Sequence, residues 1–306
     1  MLLSTAARPA DRTVPDTAAP RTAASGATAP RTAAAVLAES YERTAEALPW
    51  ITFLPLGPDE PLPEGDTWVG AAALARDPGA LDAYLTWDRE QVLRDHGRPG
   101  RPDVVAGFGL HRYAWPACLL FTLPWFLHRR VPHLPVERVA HDREHGRIAA
   151  RPAGFACLPG DPAASVPGAR VVRDEDALRA ELRSAVAEHL GPVLDAFGPV
   201  MRRRGRGLWG MATDEMTEGL WYVGNLLGEE RRAVRELEAL LPGTEKPYAG
   251  SPAFRELTGP RGESLTTRDR VSCCLFYTLN PRDTCVTCPR TCDQDRVAKL
   301  TTRAVG

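Results

Sequence analysis

The cysteines near the end of the chain constrain this sequence more than any other feature. Five of the seven fall within the last 34 residues, and four follow the spacing C-C-x10-C-x2-C, at Cys273, Cys274, Cys285 and Cys288. A pair separated by two residues lets both sulfurs approach one site across a tight turn. Because thiolates are the ligands that iron–sulfur clusters and zinc require, the spacing predicts a four-cysteine site for one of these groups.

The adjacent pair Cys273-Cys274 separates these alternatives. Neighbouring Cα atoms lie ~3.8 Å apart, whereas a disulfide usually requires about 4.4 Å or more, so a disulfide within the pair would be strained. Both side chains reach one site only if the backbone is irregular or lies at a helix end, because residues of a regular strand alternate between faces. Most zinc sites use spaced rather than adjacent cysteines, so the pair favours an iron–sulfur cluster, with zinc as the alternative.

A fifth thiol follows this set. Three residues separate Cys292 from Cys288, which extends the spacing to C-x2-C-x3-C. It is either a spare cysteine or a replacement for one member of the adjacent pair. Its spacing also leaves a [4Fe–4S] cluster open as an alternative, since closely spaced cysteines of this kind occur in such sites.

Length and charge restrict the class of protein. The chain has 306 residues, a net charge of -1 and 43% hydrophobic residues, which suits one large soluble domain or two modest ones. The balanced charge argues against nucleic acid as a partner. The most apolar run, 115–127, is too short to span a bilayer and contains two prolines, so it predicts buried core and no transmembrane segment. No secretory signal is visible, which predicts a cytoplasmic protein.

The composition changes along the chain and predicts three parts. Residues 1–35 are rich in Ala, Thr and Pro and predict a disordered tail. Residues 36–243 predict a substrate domain, and residues 244–306 a loop-rich module that carries the cysteines. Most of the middle part has helical patterning, so the expected class is α+β, mostly helical with a small β-sheet or hairpin.

The individual elements follow from hydrophobic spacing and from Gly and Pro positions. An acidic, proline-containing loop is predicted over 58–66, and a β-hairpin around His145-Gly146 within 136–158. Helices are predicted from Ala34 onward and over 68–95, 104–130, 174–197, 213–227 and 229–241.

The cysteine segment resembles the FhuF-type ferric siderophore reductases. The resemblance rests on the C-C-x10-C-x2-C spacing near the C-terminus, the apolar and aromatic residues 275–277, and Arg270 shortly before the pair. Weaker similarities are Leu208-Trp209-Gly210 and Gly224-Asn225; the specific match covers 271–296, and a diffuse one extends back to about Val104.

This resemblance implies a function and a cofactor. It implies a [2Fe–2S] cluster and one-electron reduction of a ferric hydroxamate-type siderophore to release Fe(II). It also implies a fold related to the C-terminal half of the NRPS-independent siderophore synthetases. The ligands carried over by position are Cys273, Cys274, Cys285 and Cys288. Two alternatives stay open: a binding protein with structural zinc, and a non-catalytic iron–sulfur electron carrier or sensor.

The electron is expected from another protein, such as a ferredoxin or a flavoprotein. No dinucleotide fingerprint is apparent, because Gly205-x-Gly207 lacks the third glycine and no clear strand precedes it. A basic run, Arg202 to Arg204 with Arg206, is a candidate docking surface for an acidic donor or an anionic siderophore. The alternative is a solvated loop that supports the preceding helix C-terminus.

Several other residues have both a functional and a structural interpretation. Four hydroxyl residues near the cysteines are candidate hydrogen-bond donors to sulfur, or ordinary loop residues: Ser272, Thr284, Thr287 and Thr291. The spacing of four histidines does not favour a metal site: His128, His133, His141 and His145. The remaining candidates are expected to pack in the core: Cys118, Cys157, Trp209, Trp221 and Tyr222.

Overall fold

The chain folds into helices and three small sheets, which confirms the α+β prediction. The structure is a computed structural model and describes residues 31–281 and 284–303. Within these residues the α-helices are α1 (Ala33–Thr44), α2 (Ala71–Arg76), α3 (Pro78–His96), α4 (Pro102–His128), α5 (Glu175–Met201), α6 (Arg206–Leu226), α7 (Glu230–Leu240) and α8 (Asp293–Arg303). Helix α1 therefore begins inside the last residues of the predicted tail, whose first thirty residues lie outside the described part.

The apolar helix α4 lies at the centre of the fold. Nearly every residue from Val104 to Phe126 is buried, and α4 packs against α1, α3, α5 and α6. This surrounds it with apolar partners, which explains why its sequence has no polar stripe. The run 115–127 is core, as predicted. None of the helices in the described ranges is long and apolar enough to cross a membrane.

The strands form two sheets beside the helices and one separate hairpin. Their bounds are β1 (Thr52–Pro55), β2 (Trp68–Gly70), β3 (Arg130–His133), β4 (Val139–Asp142), β5 (Arg147–Ala150), β6 (Gly154–Cys157), β7 (Ala169–Val171), β8 (Phe254–Thr258) and β9 (Ser264–Arg268). The first sheet has the order β1-β5-β4-β2 and the second β3-β6-β7. Strands β4 and β5 are antiparallel neighbours, which confirms the hairpin predicted around His145-Gly146.

The predicted helix over 68–95 is wrong at its start. Its first three residues form β2, which pairs with β4, and the helical part is divided into α2 and α3. Asp77 separates the two helices: its side chain accepts a hydrogen bond from the Gly79 backbone N–H, and Pro78 occupies the first position of α3. Gly97 ends α3 in a left-handed conformation, as the sequence predicts.

Helix α6 begins seven residues before its predicted start at Thr213. The added turns contain Gly207 and Gly210, which have low intrinsic helix propensity. Tertiary packing overrides this preference, because a Cβ at Gly210 would lie 3.0 Å from the Val271 side chain. The missing side chain lets the segment before the cysteines approach the helix closely.

The C-terminal part has more regular structure than predicted. Strands β8 and β9 form an antiparallel hairpin, and α8 follows the last cysteine. Between them, the described residues 269–281 and 284–292 form no regular element other than a short 3₁₀ helix, Phe276–Thr278. The hairpin was missed because β8 is polar, with Arg255 and Glu256 among its five residues.

Candidate metal centre

The four spaced cysteines come together as two contacting pairs. Cys274 lies beside Cys285 and Cys273 beside Cys288, close enough for these contacts to shift thiol pKa values. Cys274 and Cys288 are buried, and Cys273 and Cys285 are partly buried. The fifth cysteine, Cys292, is exposed and directly precedes α8, where its carbonyl accepts the Arg296 N–H.

The backbone at the adjacent cysteines is irregular, which is the condition that the sequence analysis set for both side chains to reach one site. Leu275 follows the pair in a left-handed conformation, with φ of 63°, and the 3₁₀ turn begins immediately after it. This reversal points backbone N–H groups at the sulfurs. The Leu275 N–H donates to Cys273 Sγ at 3.4 Å, and the Phe276 N–H donates to the Cys274 sulfur. The Arg290 N–H donates to Cys288 Sγ at 3.5 Å in the same manner.

A buried aspartate on α6 fixes the residues before the pair. One oxygen of Asp214 accepts from the Val271 N–H at 2.9 Å, and the other accepts from the Ser272 N–H at 2.8 Å and the Ser272 hydroxyl at 2.7 Å. Arg268 completes the contact, with its Nη2 2.6 Å from the same carboxylate. Asp214 and Arg268 are both fully buried, so this pair determines where the cysteine segment sits on the helix.

Two further acids on α6 and two arginines extend this charged cluster. Glu218 bonds Arg268 at 2.8 Å and accepts from the Thr287 hydroxyl at 2.9 Å. Burial acts to raise the pKa of Glu218, but the arginines and the Thr287 bond hold it at about 2. Glu215 lies 2.6 Å from His111 Nδ1 on α4 and 3.7 Å from Arg270. Glu218 therefore remains ionised, and both acids lie against buried guanidinium groups.

Arg270 brings a positive charge close to the cysteines. Its guanidinium is buried, and its Nε has no hydrogen-bond partner among residues 31–281 and 284–303. The hydrogen bond from Cys285 lowers the pKa of Cys274 to about 5 against the effect of burial, and Arg270 contributes further. The same bond raises the pKa of Cys285, and burial raises that of Cys273. One thiolate is therefore favoured even before a metal binds.

Other arginines anchor the loop that carries the cysteines. Arg296 of α8 is buried and donates to the Cys288 carbonyl at 2.9 Å and to the Arg268 carbonyl at 2.9 Å. Arg203 donates to the Cys273 carbonyl, and Arg98 donates to the Leu279 carbonyl. Arg203 and Arg98 thus hold the first half of the site against the helical domain, and Arg296 ties the second half to the end of β9.

The hydroxyl groups near the cysteines contact other partners. Ser272 bonds Asp214, Thr287 bonds Glu218, and the Thr291 hydroxyl donates to the Cys285 carbonyl at 2.9 Å and contacts that of Thr284. The described contacts therefore favour the interpretation of these hydroxyls as ordinary loop residues over that of donors to sulfur. Backbone N–H groups, and not these hydroxyls, donate to the cysteine sulfurs.

The donor set fits a two-iron cluster. A [2Fe–2S] cluster with four cysteine ligands takes two thiolates on each iron, and the thiols here already form two pairs. No group of three or more His, Cys, Asp or Glu side chains forms a ready site for a single metal ion within the described ranges. Arg270 also suits an anionic group: its Nε makes no hydrogen bond within the described residues, although it lies 3.5 Å from Asp214, and a buried cation beside thiolates offsets their charge.

Comparison with protein families agrees with this geometry. Residues 270–290 match the FhuF 2Fe-2S C-terminal domain. The match includes Arg270 and all four spaced cysteines, so the FhuF resemblance is confirmed over this segment, and its cofactor is a [2Fe–2S] cluster. No curated protein and no solved structure matches the chain. The expected relation to the siderophore synthetase fold therefore stays a prediction.

The other candidate residues lie away from the four thiols. His128 bonds Ser40, His133 faces Glu188, and His145 bonds Asp142, so these histidines do not converge. Cys118 and Cys157 are buried in the main core, as predicted. The aromatic residues of α6 pack against other side chains: Trp209 on Tyr248, Trp221 on Phe254 and Tyr222 on Trp115.

Sequence reasoning missed the residues that position the cysteines. Asp214, Glu215 and Glu218 lie within two turns of α6, and Arg268 precedes the pair; Arg270 entered the sequence analysis only as part of the family resemblance. The pattern that could have revealed them is a group of acids inside a helix whose neighbouring positions are apolar or small. Such a group predicts a buried charge partner when basic residues occur close to a metal motif.

Proposed function

We propose that this protein is a ferric siderophore reductase. The observation that carries the proposal is the pairing of four thiols in the segment that matches the FhuF 2Fe-2S C-terminal domain. The proposed ligands are Cys273 with Cys288, and Cys274 with Cys285. The proposed substrate is a ferric hydroxamate-type siderophore, and the proposed site of action is the cytoplasm.

Release of iron from the siderophore requires one electron, and the resulting Fe(II) complex must be weaker than the Fe(III) complex. When bound, the cluster supplies that electron. Hydroxamate oxygens are hard donors, which hold Fe(III) far more tightly than the larger and softer Fe(II). The siderophore is not cleaved: its iron gains one electron, and water protons replace the metal on the released oxygens. The chain therefore needs no nucleophile and no general acid for this step.

The residues of this chain tune and shield the electron carrier. Arg270 places a positive charge beside Cys274, which stabilises the reduced, more negative state and raises the reduction potential. The N–H groups of Leu275 and Arg290 act in the same direction through their bonds to sulfur. The buried pair of Asp214 and Arg268 keeps the segment rigid, so little rearrangement accompanies electron transfer.

An acidic ferredoxin is the proposed electron donor. Arg203 bonds the Cys273 carbonyl, and the neighbouring Arg202, Arg204 and Arg206 are exposed. These three exposed arginines form a basic surface close to the Cys273 side of the site. A donor with a carboxylate-rich face would be attracted to it and would approach the cluster there.

Metal analysis and turnover together test this function. Protein purified anaerobically should contain two irons and two sulfides per chain and should lose its visible absorption with dithionite. With a reductant present, it should release Fe(II) from a ferric trihydroxamate, and Cys288→Ser should not. A colourless protein with one zinc and no sulfide would establish the zinc alternative. A loaded cluster without Fe(II) release would leave an electron carrier or sensor.

A further inference from the structure

A cavity of about 470 Å³ lies beside the cysteine segment. It is bounded by α3, α4, the turn between β4 and β5, and the residues that follow the cysteine pair. Its size is within the range of sites that hold small molecules. Phe276 lines the cavity, and its backbone N–H donates to the Cys274 sulfur. The cavity wall and one of the proposed iron ligands are therefore only two residues apart.

Aromatic side chains form much of the cavity surface. Trp50, Trp87, Trp115 and Phe108 line it together with Phe276. Trp50 remains 43% exposed although it is a large apolar residue, which indicates an apolar wall that is open to a ligand. Such a surface suits the methylene linkers of a chelator, because the linkers can bury their apolar surface against the aromatic rings.

The polar groups of the cavity are arranged around one buried carboxylate. Asp88 is fully buried and accepts from Arg112 at 2.9 Å and from Arg143 at 2.7 Å. Both guanidinium groups also lie on the Trp87 ring, with Arg143 4.3 Å and Arg112 5.4 Å from its centroid. The arginines are thus fixed in place, and part of their charge is already compensated.

A buried histidine in the cavity wall lacks a partner. His141 is 3% exposed, and its Nδ1 has no hydrogen-bond partner in the described part of the chain. An unpaired polar atom at such depth is costly unless a ligand or water completes it. His141 is held at the cavity by strand β4 and by the Tyr113 ring, 5.8 Å away. It is therefore a candidate contact to a polar atom of a bound molecule.

The charges of the lining disfavour a strongly anionic ligand. Arg112 and Arg143 share Asp88, while Asp95 and Glu144 also line the cavity and are exposed. With Asp88 included, three carboxylates accompany two guanidinium groups, so anionic groups outnumber cationic ones. A complex that carries several negative charges would be repelled, whereas a neutral or cationic complex would not.

We propose that this cavity binds the ferric siderophore, and that it accepts neutral or singly cationic Fe(III) chelates in preference to trianionic ones. The inference rests on the proposed reductase function and names its substrate site. His111 supports it, because it lines the cavity and also lies close enough to Cys274 to affect that thiol. A chelate in the cavity would face the cluster across Phe276 and His111.

Binding of redox-inert gallium complexes tests the site separately from reduction. The probe is the gallium(III) complex of a linear trihydroxamate, titrated calorimetrically into the cluster-loaded protein. Gln91→Trp fills the cavity from the exposed face of α3, and Leu93→Trp is its control, since Leu93 is 50% exposed and is not among the lining residues. Gln91→Trp should weaken binding at least tenfold with an unchanged cluster spectrum, whereas Leu93→Trp should bind within twofold of the original protein.

The outcomes separate the cavity from the function. Equal binding by Gln91→Trp and Leu93→Trp would overturn the cavity assignment and leave the reductase proposal intact. If the original protein binds no gallium complex and releases no Fe(II) from the ferric one, the reductase proposal fails and the cavity assignment fails with it. The gallium complex of a tricatecholate should bind at least tenfold more weakly than the trihydroxamate; equal or tighter binding would overturn the charge preference.

Discussion

The Asp214 carboxylate accepts the Ser272 backbone N–H at 2.8 Å, directly before the cysteine pair. Because Asp214 also compensates the buried Arg268, one side chain supports both the charge balance and the position of the metal segment. Asp214→Ala should therefore reduce the free energy of unfolding by about 3–5 kcal/mol, since it removes one of the two acids that compensate the buried Arg268 and leaves the Val271 and Ser272 N–H groups without their acceptor. Chemical denaturation measures this loss. Asp195→Ala, at an exposed position of α5, is the control and should change it by less than about 0.5 kcal/mol.

The four paired cysteines should be required for the cluster, and Cys292 should not. Each change to serine at Cys273, Cys274, Cys285 or Cys288 removes one thiolate and should lower bound iron and sulfide by more than half. Cys292→Ser is the matched control, because Cys292 is exposed and outside the two pairs. Iron and sulfide assays decide this, and loss of the cluster in Cys292→Ser would show that the ligand set is wrong.

Arg270 should raise the reduction potential of the site. Arg270→Met removes a buried positive charge beside Cys274 and keeps a similar apolar volume. The reduced state should then become about tenfold less favoured, a shift of about 59 mV for one electron. Arg270→Lys keeps the charge and is the comparison. A redox titration followed by absorbance measures both variants, and equal potentials in Met and Lys variants would exclude a charge effect.

The exposed arginines near Cys273 should control electron entry. A triple change of Arg202, Arg204 and Arg206 to glutamate should slow reduction by an acidic ferredoxin at least tenfold at low salt, because it replaces attraction with repulsion. The ferredoxin should reduce the original protein more slowly as the salt concentration increases, whereas its reduction of the variant should not slow. Reduction by dithionite should be similar in both. An identical salt dependence would rule out docking at this surface.

Two buried histidines should make the fold acid-sensitive. Burial lowers the pKa of His141 to about 3 and that of His189 to about 4. Both stay neutral in the folded state while the unfolded chain takes up protons below about pH 6.5, so stability falls with pH between these values. Each histidine should lower the free energy of unfolding by about 2 kcal/mol when the pH falls from 6.5 to 5. Denaturation at these two pH values measures the slope.

A variant distinguishes these histidines from the other titrating groups. His189→Gln can retain a hydrogen bond but has no titrating ring, so the pH slope should fall by about 2 kcal/mol over the same interval. An unaltered slope in His189→Gln would contradict the account of acid sensitivity.

The sequence predicted the cysteine segment and its family resemblance better than the residues that position this segment. The spacing of the cysteines is local, and the irregular backbone at Cys273-Cys274 follows from chain geometry alone. Asp214 lies more than fifty positions away, and only the folded arrangement shows that it contacts Ser272. A buried acid inside a helix resembles an ordinary polar position until its partner is known.

The cavity was also not predictable from the sequence, because its lining residues are distant along the chain. Trp87, Arg112 and Arg143 come from two helices and a hairpin turn, and none of them has a diagnostic spacing. Helix existence was predictable because apolar spacing reports which face is buried. Boundaries were less predictable, since the early start of α6 depends on how closely Gly210 lets Val271 approach.

A single-turnover experiment tests the central claim most directly. Cluster-loaded protein, reduced by one electron per chain and freed of reductant, is mixed anaerobically with a ferric trihydroxamate and an Fe(II) trap. The account predicts one trapped Fe(II) per chain, formed at the rate at which the reduced protein is reoxidised. Reoxidation without Fe(II), or reduced protein that persists beside the intact ferric complex, would contradict it.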